Sequence, residues 1–359
     1  MRYLLWIVII VLLSVRIFLF YHNQPKYPEG TKLRISSRVT SEPIRYSNSQ
    51  YLKLTGLKLY LPLYPEVSYG DRVVVEGKVE NGKVRDAVLI KVTESSGVIY
   101  KFRQKLITFY KKALPQPHSS LIAGVAIGSK SEIPRDFWEK LKKSGTAHVV
   151  VASGMNVSLI GAFLMGILIV VLPRKRAIPF AIAGIWSYAL LSGFDAPIIR
   201  AAVMGSIAFS AQELGRLNAT VRALVITALA MVSIKPDWIG DTGFLLSFTA
   251  TLSIILFESK LYKLLNFIPE RFKAFKKDFS TSLSASIGVT PVLYLSFGQF
   301  NILSPLINTL VLWTIVPVTL IGMMGGILGI VYEPIGTLIL WLAYPLTSWF
   351  ILIINLMTN

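Results

Sequence analysis

A series of long apolar segments fills the sequence from residue 147 to its end, and it limits the possible folds more than any other feature. Most of these segments approach the ~20 apolar residues that a helix needs to cross a bilayer. Hydropathy predicts helices at 147–172, 177–193, 198–214, 219–234, 242–257, 282–297, 302–330 and 334–357. The segment 302–330 contains Pro305 and Pro317, so it is predicted as a broken helix or as two short ones. A hydrophobic content of 53% agrees with a polytopic α-helical membrane protein.

The chain before this region begins with an apolar stretch and continues with a segment of different composition. Residues 1–24 are predicted to be an uncleaved transmembrane anchor, because no small-residue cleavage site follows them. In residues 25–97, short runs of Val, Ile, Leu, Thr and Tyr alternate with Lys or Arg between Gly, Pro and Asn. Candidate strands are Lys32–Thr40, Tyr51–Tyr60, Arg72–Val79 and Lys83–Val92, with Asn81-Gly82 as a hairpin turn between the last two. Residues 25–97 are therefore predicted to be a small β-barrel domain of the oligonucleotide-binding type.

Residues 98–143, which we term the collar, are the most basic part of the chain, with 10 basic and 3 acidic residues. Within them, 98–113 has a helical rhythm of apolar and aromatic residues opposed by Lys and Arg. This pattern predicts a basic amphipathic helix that lies on a membrane surface. The collar is open to two interpretations, a surface for lipid headgroups or a funnel for a polyanion. Residues 144–359 form the predicted multi-helix membrane domain.

Charged loops predict how the chain is oriented. Basic residues cluster at 174–176, 216–222 and 260–277, after every second predicted crossing. The positive-inside rule makes these loops cytoplasmic, which leaves the amino terminus inside and the β domain extracytoplasmic. The formal net charge of +18 favours phosphate-bearing partners or anionic lipid without separating the two.

The cysteine and histidine content limits the chemistry that the chain can perform. It has no cysteine, which excludes disulfides, thiol catalysis and cysteine-ligated metal. Its three histidines are too far apart in sequence to form a metal-ligand pattern. Neither a metal nor another cofactor is expected.

The stretch 144–159 places small and polar residues inside an apolar run. Its candidate path-lining residues are Thr146, His148, Ser153, Gly154 and Asn156. In hydrocarbon such groups need partners or water, so they are predicted to face neighbouring helices or an aqueous path. The alternative is a packing helix whose small residues let two backbones approach closely.

Arg200 is the residue that the bilayer argument singles out most sharply. In one interpretation it snorkels and pairs with Asp195, Asp237 or Asp241. In the other it supplies a fixed positive charge that compensates dehydrated phosphates at the entrance of a polar path. Asp195, Arg200, Asp241 and Asn308 complete the candidate path residues, although Asn308 is most simply an interhelical hydrogen-bonding residue.

Basic residues of the β domain and collar are candidates for binding DNA. They are Arg34, Arg38, Arg45, Lys53, Lys58, Arg72, Lys101, Arg103 and Lys105. Tyrosines of the β domain could stack on bases beside these cations, as in single-strand binders, or could serve as core and rim aromatics.

Motifs in residues 119–330 resemble the membrane domain of the ComEC competence family. They are 121–130 ending in Ile-Gly-Ser-Lys, 144–148, 152–157, 197–204, 214–216, 243–248, Thr290-Pro291 and Asn308. The β domain also resembles the extracellular domain that precedes this region in the family. The resemblance implies a channel subunit that imports single-stranded transforming DNA across the bacterial cytoplasmic membrane. It also implies that DNA meets the β domain and collar and then passes between helices near Arg200.

The resemblance also implies what other chains must supply. Asn156 stands where the family commonly has a second histidine, and Leu245 stands where a glutamine is common. The chain ends at Asn359 and contains no His-x-His-x-Asp-His, so the nuclease of longer members is expected on another chain or not at all, and no enzymatic activity is expected here. No phosphate-binding loop of the P-loop type is present. Expected partners are single-stranded DNA, membrane lipids, a separate DNA receptor, a nuclease, a cytoplasmic ATP-driven motor and a second copy of the chain.

Two other functions are compatible with the same sequence. One is an integral-membrane enzyme or small-solute transporter, with His148, Asp195, Arg200 and Asp241 as its cluster, although no spacing of nucleophile, base and orienting residue is evident. The other is a shortened relative that only scaffolds a partner.

Overall fold

The computed structural model describes residues 2–23, 27–45, 48–80, 82–150, 153–213, 220–298 and 301–358. It has an amino-terminal helix, a small β domain and a large helical region. The strands are β1 (Lys32–Arg38), β2 (Ile44–Arg45), β3 (Ser49–Leu54), β4 (Leu57–Pro62), β5 (Arg72–Glu80) and β6 (Lys83–Thr93). The helices are α1 (Arg2–His22), α2 (Val98–Ala113), α3 (His118–Ile127), α4 (Arg135–Lys143), α5 (Ala147–Val150), α6 (Gly154–Val171), α7 (Arg174–Leu191), α8 (Ala196–Glu213), α9 (Thr220–Ile234), α10 (Thr242–Leu264), α11 (Lys273–Phe297), α12 (Ser304–Val331), α13 (Glu333–Trp341) and α14 (Tyr344–Thr358).

The β domain is a six-stranded sheet with the order β1-β5-β6-β4-β3-β2. All neighbouring strands are antiparallel except β4 and β6. Side chains alternate between the two faces, as the pleat requires. In β4, Leu57, Leu59 and Leu61 point into the hydrophobic core, and the residues between them face outward.

Two predictions for the β domain can be compared with this sheet. The hairpin predicted at Asn81-Gly82 is confirmed by its flanks, because Glu80 pairs with Lys83, although Asn81 itself lies outside the described residues. The hydrogen-bonded strand order is linear, with β1 and β2 at its ends. Closure into a barrel of the oligonucleotide-binding type therefore stays a prediction.

The segment Tyr51–Tyr60, predicted as one strand, is instead a hairpin of β3 and β4. Thr55 and Gly56 have φ angles of +47° and +87°, the left-handed conformation that a two-residue hairpin turn needs at both central positions. The strands pair directly across this turn, with Leu54 opposite Leu57. This register brings outward-facing residues of the two strands side by side.

The helices lie close to the predicted segments, with three differences besides the segment predicted at 147–172, of which residues 151–152 lie outside the described residues. α11 begins at Lys273, well before the predicted 282, because the basic stretch preceding the apolar run is also helical. The last predicted helix is divided into α13 and α14, which are bent by 45°. α12 is continuous over 28 residues, because Pro305 lies in its first turn, where no hydrogen bond is lost, and Pro317 is accommodated within the helix.

Three helical segments are long and apolar enough to cross a membrane by length and composition. They are Ala147–Val171, Thr242–Phe267 and Ser304–Val331, and the bent pair α13 and α14 counts as a fourth if it forms one span. Shorter apolar helices include α3, α9 and parts of α1 and α8. In the described residues the number of candidate spans is thus three to four, which is fewer than the eight segments predicted after residue 146.

The collar helix α2 forms where it was predicted, but its apolar face is buried in protein. Leu106 and Tyr110 pack against Gly326 of α12, and Phe109 packs against Gly329. The Tyr110 hydroxyl also donates a 2.9 Å hydrogen bond to the carbonyl of Gly322. The expectation that this face lies on a membrane surface is therefore not met, because glycines of α12 provide a groove that fits the aromatic rings.

Gly336 holds α13 against α12, and its substitution gives a first testable prediction. A Cβ built on Gly336 would lie 2.2 Å from the Cα of Gly329, a backbone atom that cannot move aside alone. We expect Gly336→Ala to destabilise the helical region by about 1–3 kcal/mol, the usual range for overpacking. Thermal unfolding in detergent measures this. Gly166→Ala is the matched control, because nothing lies within 4 Å of the added methyl group; equal melting of the two variants would contradict the prediction.

Candidate functional site

Arg200 is the centre of the candidate site. It lies in α8, and its guanidinium reaches α10, where Nε donates to Ser247 Oγ and Nη1 donates to Thr251 Oγ1, both at 2.6 Å. Ser247 and Thr251 are four residues apart and therefore lie on the same side of α10. Nη1 also lies 3.7 Å from Met204 Sδ. The two hydroxyls fix the orientation of the guanidinium but do not neutralise its charge.

The amino-terminal end of α6 lies directly beside this guanidinium. A Cβ built on Gly154, the first residue of α6, would lie 2.6 Å from Arg200 Nη2, so a side chain at this position would displace the guanidinium. Ser153 precedes it in an extended conformation, and its side chain makes no capping hydrogen bond. The first N–H groups of a helix lack intrahelical acceptors, and the helix dipole favours an anion there. Arg200 and the start of α6 therefore contribute positive potential at one place.

The aspartates expected to neutralise Arg200 have other partners. Asp195 lies 2.6 Å from Lys130 Nζ. Asp241 caps α10, where its Oδ1 accepts a 2.9 Å hydrogen bond from the backbone N–H of Phe244. The interpretation in which Arg200 pairs with Asp195, Asp237 or Asp241 is therefore not supported, since the described ion pairs include none of Arg200. Throughout the described residues, no Asp or Glu oxygen lies within the 4.0 Å of an ion pair with Arg200.

A second polar cluster joins the stretch before α5 to the start of α12. The hydroxyls of Ser144 and Thr146 are 2.7 Å apart and buried. Gly145 has a φ of +74°, and a Cβ there would lie 2.4 Å from Ser304 Oγ, so only glycine fits without rearrangement. Asn308 Nδ2 donates to Ser304 Oγ at 3.3 Å. These contacts give Thr146 a packing role, whereas the hydrogen bond of Asn308 stays within α12 and its buried Oδ1 has no partner among the described residues.

The two remaining predicted residues of this region differ in exposure. Asn156 is fully buried, and its Nδ2 donates a 2.9 Å hydrogen bond to the carbonyl of Val125, which ties α6 to α3. His148 is exposed on α5. The structure therefore brings Gly154 and Arg200 together, leaves His148 accessible and gives Asn156 a structural contact.

A buried ion pair joins the β domain to the helical region. Glu42, in the loop between β1 and β2, accepts a 2.8 Å hydrogen bond from Arg103 Nη2 of α2. Its other oxygen accepts hydrogen bonds of 3.0 Å from the hydroxyls of Ser129 and Ser131. Arg103 also donates to the last carbonyls of α3 and α7. Because Arg103 is only 3% exposed, it does not belong to a surface that could contact DNA, contrary to the prediction.

Glu42 of this pair and the neighbouring Lys130 have shifted pKa values. Burial alone raises the pKa of Glu42, but the charges of Arg103 and Lys130 and the hydrogen bonds to its carboxylate outweigh burial and hold the pKa below its ordinary value. Burial alone lowers the pKa of Lys130, but Asp195 and Glu42 more than offset it and raise the pKa. The carboxylate of Glu42 and the ammonium of Lys130 are therefore both ionised at neutral pH.

Cations and tyrosines meet on the outward face of β3, β4 and β6, which we term the sheet face. Lys53 is directly opposite Lys58, and Lys58 is opposite Lys83. The rings of Tyr51 and Tyr60 are 5.3 Å apart on the same face. Like charges directly opposite each other destabilise a sheet unless an anion lies between them. The sheet face therefore combines facing lysines with two adjacent aromatic rings.

The other predicted DNA-binding residues are distributed around the domain. Arg38 is opposite Arg72 on β1 and β5, where both are exposed. Arg34 lies 3.5 Å from Glu76, and Arg45 lies 2.9 Å from Glu66. Lys101 and Lys105 are exposed on α2. Within the described residues, no group of three or more His, Asp or Glu side chains could hold a metal ion.

Sequence reasoning missed the roles of four residues that the structure places in these contacts. In the sequence, Ser247 and Lys130 belong to family motifs without an evident role, and nothing singles out Thr251 or Glu42. The spacing of Ser247 and Thr251 in an apolar helix is a usable signal, because it marks a polar stripe on one side. No comparable signal identifies Glu42, because its partners lie far away in sequence.

Comparison with known proteins supports the motif analysis. The sequence profile described as "Competence protein" matches residues 125–359. ComE operon protein 3 of Bacillus subtilis (strain 168) is 24% identical over 268 residues, which cover 73% of this chain and 33% of that protein. Competence protein ComA of Neisseria gonorrhoeae is 28% identical over 217 residues, which cover 56% of this chain and 30% of that protein.

These matches are limited in extent. The chain spans about a third of the length of the curated relatives it matches. No solved structure matches it significantly. The family profile nevertheless covers well over half of the chain, including Arg200, Ser247 and Thr251, and the family predicted from the motifs is confirmed. The chain belongs to the competence protein family.

Proposed function

We propose that this chain is a channel subunit that carries single-stranded DNA across the bacterial cytoplasmic membrane during natural transformation. Membership of the competence family and the candidate membrane spans support this role. The proposed orientation leaves the amino terminus in the cytoplasm and the β domain outside. DNA would meet the sheet face first and then pass between helices near Arg200.

The observation that carries the proposal is the unneutralised guanidinium of Arg200. A phosphate that leaves water for a protein interior loses solvation worth several kcal/mol and needs a fixed positive charge to compensate. Arg200 offers that charge beside the start of α6, and Ser247 and Thr251 hold its side chain in place. A carboxylate partner would cancel the attraction, and none is present among the described residues around it.

The sheet face is the proposed first contact for DNA. Its lysines contact the backbone without reading sequence, and its tyrosines stack on bases of any identity. Arg45 forms an ion pair with Glu66, and Arg103 is buried in its ion pair with Glu42. Neither arginine therefore belongs to this proposed surface. The exposed Arg38, Arg72, Lys101 and Lys105 extend the positive field around it.

Removing the lysines of the sheet face gives a second prediction. We expect Lys53→Ala with Lys58→Ala to weaken binding of single-stranded oligonucleotides and to reduce the slope of log affinity against log salt by about 0.7 for each phosphate that the variant no longer neutralises. Fluorescence anisotropy of the purified chain at several salt concentrations measures it. Lys142→Ala, which removes an exposed cation of α4 paired with Glu139 at 2.6 Å, is the control. An unchanged salt slope in the double variant would exclude the sheet face as a DNA-binding surface.

The proposal requires other proteins for energy and strand processing. A separate receptor would deliver DNA, a nuclease would degrade one strand and a cytoplasmic ATP-driven motor would pull the other. A second copy of the chain would complete the path if the helices of one copy do not enclose it. Membrane lipids surround the apolar helices in this proposal.

Uptake of labelled DNA by cells tests the proposal. Wild-type cells and a deletion strain are compared, and DNA bound at the surface is scored separately from DNA protected against added nuclease. We expect the deletion to abolish protected DNA and to leave surface binding largely intact. Normal protected DNA in a deletion strain without a second gene copy would reject the import function.

The alternative of a membrane enzyme or small-solute transporter depends on a cluster of His148, Asp195, Arg200 and Asp241. The contacts of the two aspartates do not support such a cluster. Asp195 is engaged by Lys130, and Asp241 caps a helix, so neither forms an ion pair with Arg200. In the described part of the chain, no carboxylate lies within the 4.0 Å of an ion pair with His148 to orient it as a base. DNA import is therefore the function that the arrangement favours.

A further inference from the structure

The turn between α10 and α11 is a folded cap. Short 3₁₀ turns at Leu265–Phe267 and Glu270–Phe272 connect the two helices. Lys276 of α11 is only 2% exposed, and its Nζ donates a 2.8 Å hydrogen bond to Asn266 Oδ1. The same ammonium lies 4.3 Å from the ring centroid of Tyr262. These contacts fix the geometry of the turn.

This fixed turn holds three large apolar side chains outward. Leu264, Phe267 and Phe272 are 73%, 78% and 50% exposed. Leu265, between the first two, is buried and occupies the inside of the turn. A patch of exposed apolar side chains on an ordered surface indicates a site that binds a membrane or another protein.

Exposed cations surround the apolar side chains. They are Lys260, Lys263, Arg271, Lys273 and Lys277, against Glu270 as the acidic residue within 260–277. The guanidinium of Arg271 lies 5.0 Å from the ring centroid of Phe272, so charge and apolar surface are adjacent. Aromatic and aliphatic groups among lysines and arginines are the combination that binds an anionic membrane surface.

The candidate span Thr242–Phe267 ends inside this turn, which indicates the lipid bilayer as the occupant. We propose that Leu264, Phe267 and Phe272 insert into the interfacial layer of an anionic leaflet while the surrounding lysines and arginines bind lipid phosphates. This inference rests on the proposed membrane location. It assigns the turn a lipid partner, where an acidic protein surface would be the competing occupant.

The absence of cysteine allows the turn to be labelled at single positions. Phe267→Cys carries an environment-sensitive dye in the full chain, reconstituted into vesicles of phosphatidylcholine with or without phosphatidylglycerol. Leu256→Cys, half exposed on α10, reports whether that helix is in the membrane, and Lys53→Cys on the sheet face is the aqueous reference. Lipids that carry a spin label near the headgroup act as shallow quenchers.

We expect the dye at position 267 to shift to shorter wavelength and to be quenched by the shallow lipid, more strongly with phosphatidylglycerol. Adding Lys263→Gln and Lys273→Gln is expected to remove this dependence on anionic lipid.

A dye at 267 that behaves like the one at 53, while the dye at 256 is quenched, overturns the inference but leaves the proposed membrane location intact. If the dyes at 256 and 267 both behave as in water, the proposed membrane location fails. Shielding of 267 without quenching by lipid indicates a protein contact, and equal quenching in both vesicle types contradicts the anionic partner.

Discussion

Replacing Glu42 by alanine is expected to destabilise the junction between the β domain and the helical region by about 3–5 kcal/mol, the usual cost of leaving one member of a buried ion pair alone. Arg103 would remain almost completely buried, with backbone carbonyls as its acceptors but without a neutralising charge. Ser129 and Ser131 would lose their shared acceptor as well. The β domain would consequently separate from the helices before either part unfolds.

Limited proteolysis and thermal unfolding of the purified chain in detergent measure this effect. Glu76→Ala is the control, because its partner Arg34 is 66% exposed, and exposed pairs contribute only about 0–1 kcal/mol. The double variant Glu42→Gln with Arg103→Met removes both charges and is expected to recover part of the loss. If Glu42→Ala melts like Glu76→Ala, the ion pair does not hold the junction.

The same junction predicts the direction of a pH effect. Since the pKa of Glu42 in the folded chain lies below its ordinary value of 4.5, its contribution is fully present above that value. It is lost as pH falls through the lowered pKa, where the folded carboxylate takes up a proton. Wild-type protein is therefore expected to become more sensitive to protease in acid, whereas Glu42→Ala changes less over the same range.

Replacing Arg200 by alanine is expected to reduce DNA import by about 10- to 100-fold, which corresponds to the ~1.5–3 kcal/mol of a hydrogen bond to a charged group. The loss should appear in nuclease-protected DNA and leave DNA bound at the cell surface unchanged, because Arg200 lies beyond the sheet face on the proposed path. Lysine at this position keeps the charge but cannot donate to both hydroxyls in the same geometry. Arg200→Lys is therefore expected to give an intermediate result.

Arg176→Ala is the matched control, because Arg176 is exposed at the start of α7. Membrane abundance is checked for each variant. Gly154→Ala displaces the guanidinium from the start of α6 and is expected to behave like Arg200→Lys. Wild-type import by an abundant Arg200→Ala variant would remove Arg200 from the mechanism.

Local patterns in the sequence predicted much of the fold. The helices follow from apolar segments of suitable length, and the hairpin before β6 follows from Asn81-Gly82, a turn signal with a known geometry. Thr55-Gly56 is a weaker signal, since threonine seldom adopts a positive φ, although the alternation of apolar residues shifts by one position across the turn, from Leu52 and Leu54 to Leu57 and Leu59. The boundary between β3 and β4 was therefore missed.

The candidate site was predicted less completely, because its contacts join distant parts of the chain. Arg200 was predicted as a site residue because placing an arginine in an apolar membrane helix costs free energy, and such residues usually have a function. Its acceptors lie on α10, and the nearby Asp195 pairs with Lys130 instead, a choice that sequence distance could not reveal. Similarly, the sequence predicts a surface position for Arg103, because nothing in it shows that Glu42 of the β domain forms a buried ion pair with this residue.

Photo-cross-linking during DNA uptake tests whether the imported strand passes Arg200. A photoreactive amino acid at Met155, which is exposed beside Gly154, reports DNA that passes the start of α6. The same group at Leu338, 71% exposed on α13, is the control. We expect DNA caught during import to cross-link to position 155 and not to position 338. Import at the wild-type rate without cross-links at 155 would contradict a path beside Arg200.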